Sequence, residues 1–160
     1  MEIRKTVCAD LPRLDQVYAQ ARAFMKAQGN GEQWGDRHPP RTLIEEDIAL
    51  GRSYVCVEQE RIVGTFCFYV GEEPTYQAIW DGTWRKEGPY GVIHRVASDG
   101  TTKGITHACI AFCWQQHPNL RIDTHEKNLP MQKAILRNGF VYCGRIMTED
   151  GSERLAYQRI

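Results

Sequence analysis

The segment Tyr90-Gly91-Val92-Ile93-His94-Arg95-Val96-Ala97, then Ser98-Asp99-Gly100-Thr101-Thr102-Lys103-Gly104, then Ile105 through Cys113, decides the fold. It reads as an apolar strand, a short loop of small and polar residues, and an amphipathic helix whose stripe is Ile105, Ala108, Cys109, Phe112 and Cys113. A loop that runs onto a helix N-terminus presents unpaired backbone N–H groups backed by the positive end of the helix dipole. That arrangement suits a phosphate or pyrophosphate, and Lys103 adds a cation. It is not a nucleotide-triphosphate loop, because Lys103 precedes its glycine instead of following it, and no G-x-G-x-x-G is present.

Working outward, Glu2 to Val7 reads as a strand, and Asp10 as the N-cap of a helix striped by Leu11, Leu14, Val17, Tyr18, Ala21, Phe24 and Met25. Gly29-Asn30-Gly31 stops that helix, and Gln33 to Pro40 is an irregular surface loop. Thr42 caps a shorter helix through Leu50. Ser53–Glu58 and Ile62–Val70 form an antiparallel hairpin. Pro74 to Gly88 is irregular and rich in aromatics. Beyond the opening segment, Leu120 to His125 alternates as a strand, with Leu120, Ile122 and Thr124 on one face and Arg121, Asp123 and His125 on the other. A helix from Asn128 carries Pro130 in its first turn and ends at Gly139; Phe140–Met147 and Arg154–Ile160 are two final strands. The order β-α-α-β-β-β-α-β-α-β-β predicts an α/β fold of the α+β type: a single domain over residues 1–160 with one mixed, mostly antiparallel sheet and helices on both faces.

Composition narrows the function classes. Apolar residues make up 42% and charged residues 25% of 160, which is enough for a substantial core. Twenty basic and twenty acidic side chains cancel, so no global field draws nucleic acid or an anionic membrane, and self-association into a homodimer stays open. The longest apolar run, Ile62 to Val70, is too short to span a bilayer, and no signal-peptide core follows Met1. Six cysteines without a C-x-x-C pair read as core residues of a reducing compartment, so a cytoplasmic location is expected. His94, His107, His117 and His125 lack metal-ligand spacing, so no metal is expected.

The element order, the loop Thr101-Thr102-Lys103-Gly104-Ile105-Thr106 and the later block from Asn128 to Gly139-Phe140 resemble the GCN5-related N-acetyltransferase (GNAT) superfamily over the whole chain. The resemblance implies an acetyl-CoA-dependent N-acetyltransferase acting on a primary amine of a small molecule or peptide. It implies that the backbone of Arg95, Val96 and Ala97 holds the pantetheine of acetyl-coenzyme A. Thr101, Thr102, Lys103, Gly104, Ile105 and Thr106 would hold its pyrophosphate, and Asn128 would contact the cofactor arm. Three positions depart from the family pattern. Thr101 and Thr106 replace its Arg or Gln and its final small residue, and Ile135 stands where a Tyr usually protonates the departing thiolate. The departures keep a second reading open, a non-catalytic acyl-CoA-binding module of the same fold.

Acetyl transfer needs a deprotonated amine, donors for the tetrahedral oxyanion worth roughly 3–4 kcal/mol each, and departure of a thiolate whose thiol pKa is about 8.5. His94, on the cofactor-bearing strand and sharing a face with Val92 and Val96, is the first candidate base. Asp123 orienting His125 is the second, and Tyr142 is a substitute acid. Each is also readable as an ordinary hydrogen-bonded structural residue. Trp34, Tyr76, Trp80, Trp84 and Tyr90 fall in or beside irregular segments and suit the walls of an acceptor pocket, or else plugs for the ends of the sheet.

Overall fold

The computed structural model describes residues 1–160. Seven strands, β1 (Glu2–Lys5), β2 (Ser53–Glu58), β3 (Arg61–Val70), β4 (Gly91–Ser98), β5 (Leu120–Thr124), β6 (Val141–Met147) and β7 (Glu153–Arg159), form one sheet in the order β1-β2-β3-β4-β5-β7-β6. Four helices, α1 (Leu11–Ala27), α2 (Arg41–Ala49), α3 (Ile105–Gln116) and α4 (Leu129–Arg137), complete the chain order expected from the sequence. Every strand pair is antiparallel except β4 with β5. Those two are joined through α3, the long crossover that a parallel pair requires.

The helices cover both faces. Cys109, Ile110 and Cys113 of α3 and Ile135 of α4 pack with Phe66, Ile93, Leu120 and Ile122 on one side. Leu14, Val17 and Tyr18 of α1 and Ile44 of α2 pack with Val55, Ile62 and Ala97 on the other. A third cluster, containing Tyr76, Trp84, Tyr90, Val92, Cys143 and Ala156, sits under the segment before β4.

Local details differ from the sequence reading. Asp10 does not cap α1 with its side chain; it closes a 3-10 turn over Cys8–Asp10, and its carboxylate reaches back to the Val7 N–H (2.9 Å) and to Arg4 (2.8 Å). Pro40, not Thr42, precedes α2, so the fixed proline φ replaces the hydroxyl cap. Phe24, at the end of the α1 stripe, is 55% exposed and lies outside the core cluster that Leu11, Leu14, Val17, Tyr18 and Ala21 enter.

Gly64 on β3 sets the seat of α3. An added Cβ there would stand 2.8 Å from Ile105 Cγ2 and 3.1 Å from the Ala97 carbonyl oxygen. Gly64→Ala therefore pushes the first residue of α3 off the sheet. The expected cost is about 1–3 kcal/mol, read as a lower thermal midpoint, and an unchanged midpoint would show that this contact can relax freely.

Candidate active site

The parallel pair carries the site because it is short. β4 and β5 pair only at Gly91–Leu120, Val92–Arg121 and Ile93–Ile122, and then separate. Beside the gap, β4 holds one extra residue against β3: Thr65 faces Ala97 while Cys67 faces His94. This is a β-bulge, with Arg95 in the left-handed region at φ 54°. The bidentate pair between Arg95 and Asp47 of α2, with N–O distances of 2.7–2.9 Å, holds the strained residue. The bulge changes the phase of the strand. His94 and Arg95 turn to Glu73 and Asp47, whereas Val96, which also borders the cleft, packs with the α3-side cluster, so Val96 does not share the face of His94.

A cleft of about 990 Å³ threads this gap. Its lining draws Ile93, Ile122, Thr124, Asn128 and Met131 from the α3–α4 side, and Trp34, Leu43, Asp47, Tyr69 and His94 from the other. Carboxylates dominate its polar lining: Glu32, Glu46, Asp47, Glu72, Glu73, Asp123, Glu149 and Asp150, against Arg52, Arg95 and Arg154.

His94 is flanked by two of these acids. Its Nε2 lies 2.9 Å from Glu73 Oε1, and its Nδ1 lies 3.9 Å from Asp123 Oδ2. With Glu73 as the acceptor, Nε2 carries the proton and Nδ1 faces Asp123. Tyr76 donates its hydroxyl to the same Asp123 oxygen at 2.6 Å. Burial pushes Glu73 upward, but the hydrogen bond and charge of His94 hold it net below the ordinary carboxylate value. Burial and the Asp123 charge push Tyr76 well above the ordinary phenol value, so it remains a donor.

The aromatic segment does a different job from the one its composition suggests. Of the five aromatic candidates only Trp34, from the separate loop after α1, lines the cleft, where it packs edge-on to Tyr18 with ring centroids 5.9 Å apart. Tyr76, Trp84 and Tyr90 are buried, and Arg121 lies over the rings of Trp84 (4.2 Å) and Tyr90 (3.9 Å). The Tyr90 hydroxyl accepts from the Glu73 N–H at 2.9 Å, and the Trp84 indole donates to the Tyr76 carbonyl at 2.8 Å. These residues brace Glu73 and Tyr76 against His94 and Asp123. Trp80 is at the sheet edge, bridged to Arg145 of β6.

The structure parts the second base candidate from its partner. Asp123 turns toward His94 and Tyr76, whereas His125 Nδ1 accepts the Lys127 N–H at 3.0 Å and is absent from the cleft lining. Burial lowers the His125 pKa, in keeping with a neutral ring that accepts at Nδ1. Tyr142 is outside the cleft too. Its hydroxyl donates to Asp81 at 2.8 Å beyond the far edge of the sheet, which removes it as a substitute acid. Ile135 is fully buried in the α3-side core.

A second cavity, of about 570 Å³, lies at the start of α3, lined by Ser98, Thr102, Lys103, Gly104, Ile105 and Thr106 together with His107, Ala134, Arg137 and Asn138. The backbone N–H groups of Thr102 through His107 donate to no protein acceptor. Gly104 takes φ 82° to aim the turn into the helix. Thr101 is turned away from this cavity, since its N–H (2.9 Å) and hydroxyl (2.6 Å) both bond Asp99. Arg137 and His107 enter the lining unanticipated; their helical positions flank the loop only once α3 and α4 are packed side by side.

Asn128 lines the main cleft while spending its amide twice. Its Oδ1 accepts the Met131 N–H at 3.2 Å as the N-cap of α4, and its Nδ2 donates to Gln33 Oε1 at 2.9 Å. Gln33 also accepts from Asn30, which ties the loop bearing Trp34 to α4.

The whole architecture has close counterparts. A GNAT-family acetyltransferase from Streptococcus agalactiae superposes with a TM-score of 0.91 at 30% identity, with 99% of this chain and 94% of that one covered. The chain belongs to the GNAT family of acetyltransferases. A putative acetyltransferase from Staphylococcus aureus matches in fold at 24% identity and TM-score 0.67, covering 99% and 98% of the two chains. A ribosomal-protein-alanine N-acetyltransferase from Brucella melitensis does so at 19% and 0.62, covering 100% and 99%. Neither a protein-family model nor a curated protein matches the sequence.

In this GNAT acetyltransferase the Glu73–His94 contact also couples stability to pH. A carboxyl held below its unfolded value of 4.5 contributes stability that is present above that value and is lost as pH falls through the folded one. Glu73→Gln is expected to lower stability at neutral pH by of order 1 kcal/mol. In urea denaturation the gap from the wild type should close in acid; a gap constant with pH would contradict the coupling.

Proposed function

We propose that this acetyltransferase moves an acetyl group from acetyl-CoA to a primary amine of a small molecule or peptide by direct attack of the amine on the thioester. The observation that carries the reading is the passage between β4 and β5. It joins the cofactor side, bounded by Asn128 and Met131, to a carboxylate-lined cleft containing His94. The residues fit a coenzyme A on that side. Six consecutive free N–H groups with Lys103 and Arg137 suit its phosphates, and the separated edge of β4 suits its pantetheine amides. When bound, the cofactor supplies the activated acyl carbon. The six free cysteine thiols favour a reducing location such as the cytoplasm.

His94 is the base in this reading. An amine arrives largely as its ammonium, near pKa 10.4, and must lose a proton before it can attack. Nδ1 receives that proton directly or through one water, and Glu73 fixes the ring by accepting at Nε2. Asp123, held by the Tyr76 hydroxyl, lies 3.9 Å from Nδ1 and attracts the incoming cation. The acid-rich lining favours acceptors that carry positive charge over acidic ones.

Thiol release from acetyl-CoA, followed over a panel of amines, tests the assignment. Turnover is expected with cationic amines, and substrates bearing an extra carboxylate are expected to show a higher KM. Ile135 in place of an acid supports a second reading, a non-catalytic acyl-CoA-binding module; acetyl-CoA binding without turnover on any amine would select it. For the base, His94→Ala is expected to reduce kcat/KM by roughly 10²–10⁴-fold near neutrality and to remove the acidic limb of its pH profile. Full activity from about pH 6 to 9 would remove His94 from that role.

A further inference from the structure

One polar side chain at the heart of the cleft has no partner. Thr124, the last residue of β5, is 1% exposed, lines the cleft, and its Oγ1 makes no hydrogen bond. Buried hydroxyls are nearly always paired, and an unpaired one costs about 1–3 kcal/mol, so this one calls for a ligand atom. Its direction follows from the strand. Asp123 faces Tyr76 and His94, and Ile122 packs with the α3-side cluster, so alternation points Thr124 to the α3–α4 side, opposite the base. It stands just past Ile93–Ile122, the last pair joining β4 to β5. The lining beside it on that side is Ile122, Asn128 and Met131, and Ile135 supplies no acid.

We propose that the Thr124 hydroxyl donates a hydrogen bond to the sulfur of the bound acyl-CoA and stabilises it as it departs; the inference rests on the acetyl-CoA reading above. The amine nitrogen forms a bond to the acyl carbon, and the carbonyl electron pair moves to oxygen. His94, having passed the proton taken from the ammonium to solvent, takes the second proton that the nitrogen sheds once it is bonded to the acyl carbon. As the carbonyl re-forms, the C–S bond breaks and its electron pair goes to sulfur, which leaves as a thiolate still bonded by the Thr124 O–H. An aliphatic hydroxyl keeps its proton at these pH values, and the thiolate takes one from water. Thr124 is thus a catalytic hydrogen-bond donor and no general acid.

The test compares Thr124→Val, which keeps the shape and removes the hydroxyl, with Thr124→Ser, which keeps the hydroxyl. A hydrogen bond to a charged group corresponds to about a 10- to 100-fold loss of kcat in Thr124→Val, with KM for acetyl-CoA nearly unchanged and most of the rate restored in Thr124→Ser. Removing an unpaired buried hydroxyl should leave the thermal midpoint of the free protein unchanged or raise it, so activity and stability move apart. With CoA itself as the probe, the thiolate absorbance of the bound cofactor should titrate at lower pH on the wild type than on Thr124→Val, by about tenfold in acid dissociation constant. Equal titration of bound CoA, or full turnover by Thr124→Val on an active wild type, overturns the inference and leaves the proposed function standing. A wild type that binds no CoA overturns both.

Discussion

The early parting of β4 from β5 is the constraint on which the rest of the molecule depends. Parallel strands normally continue their ladder for as long as both persist, yet here only three residue pairs form before the strands diverge. Polar groups in the gap must then find partners other than the neighbouring strand. The bulge at Arg95 helps to sustain that geometry, because one extra residue bends β4 and sharpens its twist. Asp47 holds the bulge from α2, a helix that otherwise contributes little to the core. An ion pair between helix and strand thereby stabilises a backbone shape that the sheet alone would not choose.

The two sides of the gap are built differently. Regular elements supply the α3–α4 side: the edges of β4 and β5, the N-terminus of α3 and the first turn of α4. The other side comes largely from α2 and from connecting segments around Trp34, Glu73 and Asp150. The segment before β4 holds its place through Arg121, buried between two aromatic rings, and through Gln158, whose Oε1 accepts the Arg85 N–H and whose Nε2 donates to the Lys86 carbonyl. Glu73 and Tyr76 owe their positions to that bracing.

Much of this was legible in the residues. Period-2 and helical spacing gave the seven strands and four α-helices in order, and the glycine-bearing loop before Ile105 does end on a helix N-terminus that borders a cavity. The bulge is hidden, since a left-handed arginine leaves no mark that an extended one would not, and strict alternation therefore puts Val96 on the wrong face. Pairing across the fold was hidden as well. Glu73 and His94 are neighbours only because the chain doubles back between β3 and β4, and Asp123, which alternation puts on one face with His125, pairs in space with His94 and Tyr76 instead. The aromatic cluster misled for a physical reason: large rings serve burial and binding equally, and only the position of Arg121 distinguishes the two uses.

Asn128 touches both halves of the site through a single amide, capping α4 with its oxygen and gripping Gln33 with its nitrogen. The loop that carries Trp34 is therefore mechanically in series with α4. Any perturbation of that amide propagates in both directions, so Asn128 is a hinge pin whose loss cannot be charged to one side of the cleft alone. Substitution is correspondingly freer at Tyr69 or Leu43, which line the cleft without this double attachment.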